Sequence, residues 1–84
     1  MHYFYLVTIE VDNKLRTFED TLIHDTDDEQ ALYYAVMDEI YAGLARDKGV
    51  YRIQMRDISE ARDRTGAIVF YRCVPCHKSA NEER

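Results

Sequence analysis

Cys73, Cys76 and His77 are the residues whose types and spacing most invite chemistry: Cys73-Val74-Pro75-Cys76-His77 sets two thiols and an imidazole side by side. Thiolate sulfur and imidazole nitrogen are zinc ligands, and His24 or His2 would have to supply the fourth. A structural zinc site usually joins two such knuckles, and this chain has one. A thiol–disulfide pair asks for something else, a first cysteine at a helix N-terminus, where its pKa falls. Cys73 instead closes an alternating apolar run, and Pro75 stands in the way of a smooth helical start. The plainer account makes Cys73 a small apolar core residue and Cys76 a half-exposed one.

The same five residues resemble the Cys-x-x-Cys-His motif that attaches c-type haem. That resemblance implies export and a pocket able to bury a porphyrin, and the sequence signals neither. We therefore assign no metal and no cofactor. His2, His24 and His77 are scattered and read as strand-end or tail residues. Asp27, Asp28 and Glu29 lack the spacing and glycine of a calcium loop. With no Gly-rich phosphate loop, nucleophile elbow or paired-carboxylate cleft, the 84 residues point away from an enzyme.

Composition narrows the class further. The chain is 46% hydrophobic and 32% charged, a globular balance for one small domain. A net charge of −5 argues against generic attraction to nucleic acid or to an anionic membrane. No apolar run approaches the ~20 residues that span a bilayer. The start, Met1 to Val7, has no basic segment before its apolar stretch and soon meets Glu10, so no secretory signal is expected. The expected setting is a reducing cytoplasm, with both thiols free.

The elements that must position these groups follow from periodicity. Tyr3, Tyr5, Val7, Ile9 and Val11 alternate with Phe4, Leu6, Thr8 and Glu10, which predicts a strand. Asp12-Asn13 suits a two-residue hairpin turn, and a second strand runs through about Ile23. Thr26-Asp27-Asp28-Glu29 fits a capping box opening a helix, which Gly49 stops after about Asp47. Leu32, Val36, Ile40 and Leu44 form its buried stripe. Val50–Ser59 alternates as a third strand until Ile58 breaks the pattern near Asp57. Residues 61–66 read as a turn, and Ala67–Val74 as a fourth strand with Ile68 and Phe70 on one face. The expectation is an α+β fold, one two-layer ββαββ domain over residues 1–76. It has a four-stranded antiparallel sheet with one helix packed on one face, and a flexible polar tail at 77–84.

Two surfaces remain. One helix leaves the far sheet face open, and Phe4, Leu6, Phe18, Ile68 and Phe70 are candidates for an oligomer or second-partner face there. With Arg52, Arg56 and Arg72 the same face suggests a second role, stacking single-stranded nucleic acid between arginines. Charge is also divided along the chain. Residues 10–39 hold ten acidic and two basic residues, whereas residues 46–72 hold seven basic and four acidic.

At about 100° per residue, the outer helix face collects Asp27, Ala31, Tyr34, Asp38, Tyr41, Ala42 and Ala45. Tyrosine gives large contact area at low entropy cost, so Asp27, Tyr34, Asp38 and Tyr41 are the candidate contacts, with Asp25 and Asp28 steering approach. The bland account is a solvated face whose acids favour the helix dipole. The expectation is a non-catalytic, acidic protein-binding module for a partner with a basic surface, with homodimerisation compatible with that role. In style it is like small accessory proteins of phages or mobile elements that block a host enzyme or nucleic-acid-handling complex. A small zinc domain built on Cys73, Cys76 and His77 is the remaining alternative.

Overall fold

The computed structural model describes residues 1–76. The order is β1 (His2–Val11), β2 (Lys14–Ile23), α1 (Glu29–Asp47), α2 (Met55–Asp63) and β3 (Thr65–Pro75). The fold is α+β with a three-stranded antiparallel sheet in the order β2-β1-β3. Among the described residues the element order is thus ββααβ, with three strands and two helices where four strands and one helix were expected.

The hairpin forms as its residues dictate. Asp12 and Asn13 both take positive φ, 53° and 67°, which Asp and Asn tolerate best after glycine. Two such residues give the turn whose twist matches that of the strands, and they set Val11 opposite Lys14. Every later pair of the ladder follows from that register, and β1 becomes the central strand. Its odd-numbered residues from Tyr3 to Val11 are all buried.

Those residues meet the α1 stripe of Leu32, Val36, Ile40 and Leu44, as periodicity predicted. Each such aliphatic side chain contributes about 1.5–3 kcal/mol when fully buried. The start of α1 differs by two residues from expectation. Asp28, not Thr26, is the N-cap, and its carboxylate accepts the Ala31 N–H at 2.9 Å. Thr26 Oγ accepts the Asp28 N–H at 3.0 Å and so shapes the approach. At the far end Gly49 adopts φ of 87°, the left-handed position that ends the helix.

The expected third strand is a turn followed by α2. Tyr51 is wholly exposed and Met55 is 83% exposed, where a half-buried strand over Val50–Ser59 would have covered one face. A capping box opens α2. The Asp57 carboxylate accepts the Gln54 N–H at 2.8 Å, while the Gln54 side chain takes the N3 amide. The expected turn at 61–66 is instead the end of α2 and the start of β3, and Ala61 is buried in the core.

β3 also departs from simple alternation. Thr8 pairs with Phe70 but Ile9 pairs with Ile68, so Val69 is an extra residue in the ladder. Such a bulge exchanges the faces on its two sides. Ile68 therefore joins Tyr71 and Cys73 against the core, while Phe70 stays on the open face. Phe18, opposite Val7, also packs on the helix side. Of the five candidates for the open face, Phe4, Leu6 and Phe70 lie on it, and Phe18 and Ile68 do not. No helix among the described residues is long and apolar enough to cross a membrane.

Candidate functional site: the acidic side of α1

The loop 24–28 that leads into α1 is tied from below. Tyr3, buried in β1, donates its hydroxyl to the Thr26 carbonyl at 2.9 Å. The His24 Nδ1 accepts the Thr26 N–H at 3.3 Å, and the Met1 ammonium donates to the His24 carbonyl at 3.1 Å. His24 is thus occupied within its own loop. Asp25 and Asp27 project from this braced segment and are exposed.

On α1, Tyr34 is 58% exposed and Asp38 is exposed beside it. The Tyr34 ring meets the edge of Tyr33 at 5.7 Å, and Tyr33 in turn meets Tyr71 of β3 at 5.2 Å. This edge-to-face series anchors an exposed ring to the sheet. Tyr41 differs from expectation. α2 packs along this side of α1, the Arg62 guanidinium lies 5.4 Å from the Tyr41 ring centre, and Tyr41 is only half exposed. The same packing buries Ala45, which the helical wheel had put outside. Asp28 is exposed but carries the helix cap, so its carboxylate already serves the fold. The structure therefore leaves Asp25, Asp27, Tyr34 and Asp38 open, and takes Tyr41 and Asp28 partly into service.

Two acids that sequence reasoning passed over extend this surface. A groove of about 380 Å³ runs between β2 and α1, lined by Phe18, Asp20, Glu39, Ile40 and Gly43, with Tyr5 at its base and Arg46 at its rim. Burial raises the Tyr5 hydroxyl pKa, and the nearby charges of Asp20 and Glu39 raise it further against an opposing pull from Arg46. The signal available in sequence was Gly43, a helix-interior glycine with nothing within 4 Å of where a Cβ would sit. The ion pairs among the described residues are Arg16–Asp47 at 3.4 Å and Arg64–Asp12 at 2.9 Å. Neither involves an acid between Glu19 and Glu39.

The thiols take a different place. Both cysteines are half-buried and unbridged. Burial pushes the Cys73 thiol up, a hydrogen bond with Tyr71 lowers it, and neighbouring Cys76 raises it again. A raised thiol is a poorer nucleophile and metal ligand than one near a helix N-terminus. Among the described residues no three His, Cys, Asp or Glu side chains gather as a metal site, and His77 and the 77–84 tail lie outside them.

The nucleic-acid platform loses two of its arginines. Arg52 sits before α2 and Arg56 on it, so the open sheet face keeps only Arg72 beside Phe4, Leu6 and Phe70. That face also carries Glu10 and Glu19. No protein-family model, curated protein or solved structure matches the chain.

Proposed function

We propose that the chain is a non-catalytic acidic module that binds a protein partner with a basic surface, using the outer side of α1. One observation carries this reading. Asp25 and Asp27 in the loop before α1 and Asp38 and Glu39 on α1 are all exposed, and none makes an ion pair among the described residues. Uncompensated like charge costs the fold some self-repulsion and gains an attractive field for a cationic mate. Tyr34, exposed yet braced through Tyr33 onto Tyr71, supplies a rigid contact ring beside those charges. Asp20 and Glu39 broaden the negative surface toward β2. The mode suits a small accessory protein of a phage or mobile element that occupies the basic site of a host enzyme or nucleic-acid-handling complex.

The test is capture of partners by the immobilised full chain from a host lysate, compared with the Asp27→Lys, Asp38→Lys double variant. Both residues are exposed, so the fold should survive, which circular dichroism checks. Partners retained by the wild type at low salt should be lost by the variant and by raised salt. Recovery of the same proteins by both chains would refute the assignment to this helix face.

A further inference from the structure

We propose that the open sheet face joins two copies of this chain, packed face to face about a two-fold axis running along β1. Both helices lie on one side of the sheet, and the other side presents Phe4, Leu6 and Val74, with Phe70 46% exposed and Leu15 and Ile23 more so. Phe4, Leu6 and Val74 adjoin at its centre with Phe70 diagonal to Leu6, and an exposed apolar cluster of this kind marks an interaction surface.

The register says what covers it. Leu6 stands at the middle of β1, with Glu19 opposite it on β2 and Arg72 opposite it on β3. A row of acid, leucine and arginine is its own complement. A two-fold axis along β1 exchanges the sheet edges, so β2 of one copy lies over β3 of the other. Each Glu19 then faces the partner's Arg72, with the two Leu6 side chains between them. In the adjacent rows the same operation sets Thr21 against Val74 and Thr17 against Phe70, and brings Phe4 to Phe4. Small polar residues on one edge thus receive apolar ones from the other. Sheets packed this way cross at about 30°, so register matters most in the central row, and the two Glu10 carboxylates that the axis also pairs are splayed apart at the end of β1.

Size sets the strength. Ten residues at about 3.3 Å and three strands at about 4.8 Å give a footprint of roughly 33 by 14 Å. At roughly 460 Å² per copy this stands just under the ~1,000 Å² in all expected of a specific interface, so the dimer must use the whole face and should be weak and dependent on concentration. The contact is separate from the acidic side of α1, and neither reading needs the other.

Sedimentation equilibrium on the full chain, from micromolar to several hundred micromolar, tests this. The wild type should dimerise. Leu6→Glu, half-buried and away from the helices, should be monomeric throughout, with its circular dichroism retained. Glu19→Arg and Arg72→Glu should each weaken the dimer at least tenfold, and the two together should restore it. A wild type that stays monomeric, a dimer that survives Leu6→Glu, or a double charge exchange that fails to restore association would each overturn the proposal.

Discussion

Asp12 and Arg64 hold each other twice. The Asp12 N–H donates to the Arg64 carbonyl at 2.9 Å, and Arg64 Nη2 and Nε donate back to the Asp12 carboxylate at 2.9 and 3.2 Å. One residue is in the hairpin turn and the other joins α2 to β3. The paired contacts fasten the first turn of the chain to the junction between the last two elements. They also position α2 over the sheet end, where its Ala61 enters the core.

The Arg64 guanidinium beside Asp12 holds that carboxyl below the usual carboxylate range, chiefly through the hydrogen bond. The folded value is the lower one, so the linkage stabilises the fold above the ordinary Asp range and is lost as pH falls through the folded value. Carbon-detected NMR titration should show Asp12 titrating lower than a free aspartate, and Arg64→Ala should return it toward that value. An unchanged Asp12 in the variant would contradict the pairing.

Asp28 rather than Thr26 caps α1. Asp28→Ala should cost about 0.5–2 kcal/mol in urea unfolding, the usual loss of a capping oxygen. Thr26→Ala should cost less, because only its contact with the Asp28 amide is removed. Equal or reversed losses would return the cap to Thr26.

Two glycines should respond in opposite directions. Gly49→Ala places a Cβ at φ of 87° and should destabilise by about 1–2 kcal/mol. Gly43→Ala, within α1 and with open space around the new methyl, should stabilise by about 0.5–1 kcal/mol. Thermal melts of the two variants should therefore move to either side of the wild type.

Ala61 separates the helical reading of residues 55–63 from a turn. Its side chain is buried in the core cluster that α2 shares with β1 and α1. Ala61→Leu should cost about 1–3 kcal/mol through overpacking, whereas in an exposed turn it would be nearly neutral. The denaturation midpoint decides between them.

Alkali should weaken the fold through Tyr71. Burial, first, and then the charge and hydrogen bond of Cys73 raise its hydroxyl from 10.0 to about 12. The unfolded chain loses this proton first, so its contribution is complete below pH 10.0 and declines as pH rises toward 12. Tyrosinate absorbance should show Tyr71→Phe removing the latest-titrating component, and the variant should lose less stability across that interval.

Much of the architecture was legible because its causes are local. The alternation of Tyr3 to Val11, the tolerance of Asp12 and Asn13 for positive φ, and the i, i+4 stripe from Leu32 to Leu44 each act over a few residues. The errors arose where local signals were balanced or where a distant contact decided. Tyr51, Ile53 and Met55 alternate as a strand would, yet no strand among the described residues pairs with them. Instead the Gln54–Asp57 box and the burial of Ala61 make the segment that follows a helix. Likewise alternation put Ile68 and Phe70 on one face, and the extra residue Val69 separated them.

Of the candidate acids Asp38 could be read from the α1 wheel, a property of the helix alone, whereas Asp27, which the wheel also put on that face, stands in the loop ahead of the Asp28 cap. Tyr41 could not be read that way, because Arg62 reaches it only once α2 has packed beside α1. The groove of Tyr5, Asp20 and Glu39 likewise exists only when β2 and α1 meet across β1. What the sequence by itself determined was periodicity, turn chemistry and the sign of the surface charge, all encoded in neighbouring side chains. Strand pairing, the bulge and the covering of one helix face belonged to the tertiary structure, because burial is shared between segments far apart in the chain.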